Sequence, residues 1–234
     1  MYGFMAHVVP YWIMVYIYDK RNTRHFKLAV YNSLINQLLV TAPAIYIGLH
    51  YYPIHNNNLL LSLVSLPVLV ITGDIYFYTT HRIMHTKYMW KYHKSHHADE
   101  VCIAKALDAD RLEHLICNIG SFVIGFYILL YFGISINIYV IYLWIALSTI
   151  STCISHSSSM SKTPYDTGNH RIHHELLKYN FGTGFYIMDR LFGSYKTIHN
   201  MNERALNRQL IWENEHCAEC PSGPKLAQLL KHRL

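Results

Sequence analysis

The sequence predicts an all-α integral membrane protein, with about four membrane-embedded helices carrying a helical cytoplasmic cap. Three observations predict it. The chain of 234 residues is 52% hydrophobic and only 15% charged, too apolar for an ordinary soluble domain. Its apolar residues gather in runs close to the roughly 20 residues that a bilayer-spanning helix needs. Its cations are confined to segments that such a bundle would place on one side.

The elements follow in order. Residues 1–27 begin with an apolar stretch, Met1–Tyr18, interrupted by His7 and Pro10. It lacks the basic start and small-residue cleavage site of a secretory signal and reads as an interfacial helix or an extra crossing. Four membrane helices are expected at Leu28–Tyr52, Leu59–Tyr78, Leu115–Gly133 and Ile134–Ile154. They contain no Lys or Arg, and Asp74 is their only acid. Pro43 and Pro67 predict kinks in the first two, tolerated where neighbours satisfy the freed carbonyls. The cap is expected from residues 80–114 and 155–200, so that residues 28–200 form one membrane domain and 201–234 a cytoplasmic tail.

Charge sets the orientation. All 20 Lys and Arg lie within residues 19–27, 82–111 and 162–233. None lies in His50–Asn58 or at the turn around Gly133, so the basic segments are expected to be cytoplasmic. The net charge of +6 then suits anionic lipid headgroups, and no nucleic-acid-binding motif accompanies it. Five scattered cysteines do not make a disulfide framework. Cys217 and Cys220, beside His216, form a lone CxxC without a second ligand pair.

The chemistry is concentrated in histidine. Of 17 histidines, eight fall in three clusters: HRIMH at His81 and His85, HKSHH at His93, His96 and His97, and HRIHH at His170, His173 and His174. Spacings of i,i+3 and i,i+4 put each set on one helix face. Eight imidazoles exceed the needs of one metal ion and suit two. Imidazole accepts iron, zinc and copper, so ligand type alone does not name the metal. His156, just after the fourth apolar run, is placed to supply a ninth nitrogen. Asp74 lies seven residues before His81 on the same helical face. A carboxylate that deep needs a partner, and a ligating histidine gives its second N–H to such a group; Asp74 is therefore expected behind His81. Glu113 reads either as part of the site or as an anchor at the membrane edge, and His114 as an anchor. His7, His25, His50, His55, His199, His216 and His232 read as surface or interfacial rings. The helix pair 115–154 goes in and comes back, so all three clusters finish on one side. A dinuclear site beside apolar segments points to oxidative chemistry on a lipid.

The order HxxxH, HxxHH, then HxxHH after a membrane hairpin resembles the fatty acid hydroxylase/sterol desaturase superfamily. So do Asp74-Ile-Tyr-Phe-Tyr-Thr-Thr-His81-Arg82, Tyr92 through His97, Ser155-His156-Ser157, Asn180-Phe181-Gly182 and Asp189-Arg190-Leu191-Phe192-Gly193-Ser194. The resemblance runs from about residue 60 to residue 197. Its closing segment is most similar to that of sterol C-5 desaturases, and C-4 methylsterol oxidases, sterol hydroxylases and alkylglycerol monooxygenases share enough of it to stay open. The chain departs from the pattern where Ala98–Asp110 lacks proline, where Met188 stands in place of tryptophan and where Ser158 replaces glycine.

The resemblance implies a membrane di-iron enzyme of the endoplasmic reticulum with its site on the cytoplasmic face. It would use O2 and two electrons to hydroxylate or desaturate a sterol or related lipid, with no catalytic residue beyond the metal ligands. Since no GxGxxG-type fingerprint is present, electrons are expected from a b-type cytochrome and its NAD(P)H reductase. Two other readings stand beside a sterol enzyme: a fatty acid or alkylglycerol hydroxylase of the same superfamily, and a histidine-rich zinc carrier. A carrier would favour ligands along a path through the helices, whereas parity gathers them at one face.

Overall fold

The computed structural model describes residues 1–19, 24–52, 58–98, 101–156 and 168–197. Among these every regular element is helical. Four helical stretches are long and apolar enough to cross a membrane: His25–Tyr51, Leu59–Met84, Arg111–Tyr131 and Ile138–Ser155. They match the expected four, with ends displaced by up to six residues. The second continues beyond the apolar run and carries His81 within its last turn.

Proline and serine shape these helices locally. The first is built from α2 (Arg24–Asn36), one π-helical turn at Gln37–Thr41, and α3 (Ala42–Tyr51). The π turn ends where Pro43, in the first turn of α3, can offer no N–H to the preceding ladder. The second is broken at Ser65, between α4 (Leu59–Val64) and α5 (Leu66–Met84), and Pro67 occupies the first turn of α5. Both breaks sit where the prolines predict them. Hydroxyls within the apolar segments bond back to their own helix, as Thr72 does to the Val68 carbonyl at 2.7 Å.

Short elements complete the described chain. Helix α6 (Trp90–His93) and a 3-10 segment at Ile103–Leu107 precede α7 (Arg111–Glu113). A π turn at His114–Ile119 leads into α8 (Gly120–Tyr131), and α9 (Ile138–Ser155) returns. Helices α10 (Gly168–Leu176) and α11 (Ile187–Leu191) follow.

Helix α5 packs along α8, and α1 (Tyr2–Tyr18) packs along α9. The α1–α9 pairing buries a stripe of Gly3, His7, Tyr11 and Val15 at helical spacing, so α1 is part of the bundle. The outer faces carry exposed apolar side chains such as Leu60, Val64 and Tyr127, the surface a lipid solvent requires. Deep in the bundle Leu69, Phe126, Leu129, Ile136, Val140, Ile141 and Ile145 form one core. A second core joins α1 and α2 to the 3-10 segment through Tyr11, Val15, Ala29, Ile103, Ala104, Leu107 and Cys153.

That 3-10 segment is buried, so its backbone polar groups need partners, and side chains supply them. Tyr11 and Ser33 both donate to the Ala104 carbonyl at 2.8 Å, and Asp19 accepts from the Ala104 N–H at 2.8 Å. Asn36 donates to the carbonyls of Leu107 and Ala109 at 2.8 Å each. The loop leading to the site is thereby tied to two helices distant in sequence.

The α5–α8 contact depends on small residues, which let membrane helices approach closely. A Cβ added at Gly125 would lie 3.1 Å from the Leu69 Cα and 2.6 Å from the Thr72 hydroxyl. Gly125→Leu is therefore expected to lower stability by about 1–3 kcal/mol through overpacking. Gly48→Leu, where nothing lies within 4 Å, should change it little. Thermal unfolding of the two variants in detergent compares them directly.

Candidate metal centre

The helix ends bring all nine sequence-predicted histidines together, in two groups. His81, His85, His93, His97 and His173 form one; His96, His156, His170 and His174 form the other. Within each group one nitrogen per ring lies within 4.8 Å of all the others. The grouping cuts across the sequence clusters. His93 and His97 turn to one group and His96 to the other, while His173 parts from His170 and His174.

The first group is tight. His93 Nε2 lies 3.0 Å from the Nε2 atoms of His81 and His85 and 2.8 Å from that of His97. His85 and His173 bring their Nε2 atoms to 3.1 Å. Adjacent nitrogens bound to one ion at about 2.1 Å, at right angles, stand about 3.0 Å apart. Five nitrogens with such separations exceed the four of a tetrahedral structural zinc site. In the second group His156 and His96 bring their Nε2 atoms to 3.2 Å, and both ring nitrogens of buried His174 lack a hydrogen-bond partner.

The far nitrogens explain why the near ones converge. His81 Nδ1 donates to the Phe181 carbonyl at 2.5 Å, and His173 Nδ1 to that of Tyr179 at 2.7 Å. His96 Nδ1 donates to Asp108 O at 3.1 Å, and His156 Nδ1 to Thr152 O at 2.9 Å. A carbonyl only accepts, so each of these rings holds its proton on Nδ1 and presents a lone pair at Nε2. His93 Nδ1 lies 2.8 Å from Glu113 Oε1. Burial and then the neighbouring imidazoles hold His97 down to about 2, and burial takes His85 and His156 to about 4. The same causes push His93, His96, His170, His173 and His174 far below the ordinary imidazole value. Neutral imidazoles, four of them aimed by backbone carbonyls, are donors that suit divalent metal ions, and the residues present fit such a centre.

Asp74 stands elsewhere than expected. His81 gives its second N–H to Phe181, while Asp74 Oδ2 accepts the Met188 N–H at 3.2 Å, at the start of α11. The two share a helical face and line the same cavity, but the chain segment 181–188 takes both bonds. Glu113 is the carboxylate beside a cluster ring. It was visible in sequence as an acid near the membrane edge, with nothing to assign it to His93. His114 is buried, its Nε2 2.9 Å from the Thr41 hydroxyl and its Nδ1 2.9 Å from Asn118 Nδ2. His7 is buried too, against the surface expectation, whereas His25 and His50 are exposed. His55, His199, His216, His232, Cys217, Cys220 and Ser158 lie outside the described residues, as does the tail 201–234.

A cavity of about 490 Å³ opens beside the two groups. His81, His96, His156 and His170 line it together with the acids Asp74 and Glu113, and Leu66, Val70, Trp144 and Ile145 are among its apolar lining. Its volume lies within the usual range of small-molecule sites.

Helices long and apolar enough to span a bilayer, carrying two gathered imidazole groups that could hold metal, define the class: a protein of membrane helices with a histidine-rich candidate metal centre. The chain belongs to the fatty acid hydroxylase family, whose model matches residues 66–194. It is similar to a Dictyostelium discoideum protein bearing a provisional methylsterol monooxygenase name, at 28% identity over 69% of this chain and 64% of that one. It is 29% identical to methylsterol monooxygenase 1 of Rattus norvegicus, over 57% of this chain and 47% of that one. A Δ7-sterol 5(6)-desaturase of Schizosaccharomyces pombe is 27% identical over 72% of this chain and 58% of that one. The chain spans less than two thirds of the length of these relatives. No solved structure gives a significant match.

Proposed function

We propose that the chain is an O2-dependent di-iron hydroxylase or desaturase acting on a sterol or related membrane lipid. His81, His85, His93, His97 and His173 would hold one iron, and His96, His156, His170 and His174 the other. The observation that carries this reading is the junction of two neutral imidazole groups with an apolar cavity reaching into the helix bundle. Relatives named as methylsterol monooxygenases and as a sterol desaturase support the substrate class.

An iron pair held there would supply the four-electron reduction of O2, with two electrons from a donor and two from an unactivated C–H bond. Hydroxylation balances as C–H, O2, two electrons and two protons giving C–OH and water. Desaturation takes a second hydrogen from the neighbouring carbon and gives an alkene and two waters. This chain's own residues orient the imidazoles through Phe181, Tyr179, Asp108 and Thr152 and would hold the lipid in a cavity of largely apolar lining. The electrons come from a membrane partner, a b-type cytochrome with its NAD(P)H reductase. The basic segments argue for a cytoplasmic metal site, and sterol-modifying relatives for the endoplasmic reticulum. A zinc carrier would distribute ligands along its helices, and gathering at one end favours the oxygenase.

Expression in a panel of yeast strains, each lacking one sterol-modifying step, tests the reading by lipid mass spectrometry. A restored or new oxidised sterol in at least one strain is expected. Protein that is present and loaded with iron, with every lipid profile unchanged, would sink the proposal.

A further inference from the structure

Two turns below the cluster, the same cavity has a polar spot that the metal chemistry does not use. His7, on α1, places Nδ1 2.8 Å from the Thr149 hydroxyl on α9. Thr149 commits its only proton to the Ile145 carbonyl, also at 2.8 Å. Its oxygen therefore accepts from His7, which fixes the His7 proton on Nδ1 and leaves a lone pair on Nε2. That Nε2 is buried and has no hydrogen-bond partner, and neither has the shielded hydroxyl of Ser148 next to Thr149. Both residues line the cavity. Thr149 precedes His156 by seven residues, an axial rise of about 10 Å.

One unpaired acceptor and one unpaired hydroxyl, both removed from solvent, leave a cost unless the occupant satisfies them. Helices α1 and α9, which carry them, contain no Lys or Arg, so nothing on them invites an anionic headgroup, and the acids that line the cavity, Asp74 and Glu113, stand on α5 and α7. Apolar walls with a donor-seeking nitrogen and a hydroxyl match an alcohol, which donates one hydrogen bond and accepts another.

We propose that His7 Nε2 and Ser148 Oγ form an anchor for the alcohol hydroxyl of a neutral lipid lying in the cavity. His7 accepts the hydroxyl proton and Ser148 donates to its oxygen, holding the lipid at a fixed distance from the imidazole groups. His7 lies outside residues 66–194, which match the family model, so the first helix contributes the anchor as a specificity device. It rests on the lipid-oxidation reading for the identity of the occupant.

The test is competition binding to the full, metal-loaded chain in nanodiscs, with cholesterol against its 3-methyl ether and hexadecanol against its methyl ether. An ether still accepts but has no proton to give. Wild type should prefer at least one alcohol by roughly threefold to tenfold, the worth of one buried hydrogen bond. His7→Phe should erase that preference, whereas Ser148→Ala, which keeps the ring, should weaken alcohol and ether alike, because both accept from Ser148. Equal binding of alcohol and ether by wild type, an undiminished preference in His7→Phe, or unchanged affinity for both ligands in Ser148→Ala overturns the anchor. Alcohol preference in a protein that oxidises no lipid keeps the anchor and removes the oxygenase reading. Lipid oxidation without alcohol preference does the reverse.

Discussion

His173→Ala is expected to lower lipid oxidation by at least about 100-fold and to take the metal content from about two ions per chain to about one. His173 is fully buried and brings α10 into the group otherwise made by α5 and the segment 93–97. Its ring stands 4.4 Å from that of His81 and 4.7 Å from that of His85. Alanine leaves four imidazoles, and among the described residues that group holds no carboxylate to take the vacated position. His96→Ala should empty the other group while sparing the first. Iron analysis together with product quantification reads both outcomes, and His50→Ala, exposed at the end of α3, is the control for handling losses. Full iron and full product in His173→Ala protein would remove the dinuclear assignment.

How far the site was legible in sequence depends on how local each signal is. The apolar runs and the histidine spacings are properties of single helices, so four spans and nine converging rings could be read directly. The division into two groups could not. It depends on α10 meeting α5 and α9, which sets His173 toward one group and His174 toward the other although they are adjacent. The acceptors behind His81, His173 and His96 are backbone carbonyls, which leave no mark in sequence. Asp74 was misplaced for the same reason. A period of seven puts it on the face of His81, but the chain returning at 181–188 supplies both residues with partners. His7 looked like an interfacial ring because α1 is short and interrupted by Pro10; pairing with α9 buries it.

That returning segment is the second place where one substitution should have a large effect. Asp189 is fully buried, and its carboxylate accepts from Phe181 N at 2.9 Å, Gly182 N at 2.6 Å and the Ser194 hydroxyl at 2.7 Å. Its own carbonyl accepts from the N–H groups of Ser194 and Tyr195. The space is closed as well, since a Cβ at Gly182 would lie 2.9 Å from Asp189 Oδ2. The carboxylate thus fixes residues 181–182 against 189–194, and residue 181 holds the carbonyl that orients His81. Asp189→Ala leaves two backbone N–H groups and one hydroxyl without acceptors, at about 1–3 kcal/mol for each buried group left unpaired. A loss of roughly 3–5 kcal/mol is expected, as for breaking a buried charged cluster. Freed from its anchor, the Phe181 carbonyl no longer fixes the His81 ring, so iron affinity should fall by about 10- to 100-fold. Asp189→Asn retains one carbonyl acceptor and should recover part of both. Thermal unfolding and iron titration of the two variants separate the effects. If Asp189→Ala unfolds like wild type and binds iron as tightly, the closing segment is not what aims His81. If stability falls while iron affinity holds, the segment supports the fold and leaves the ring's direction to its neighbours.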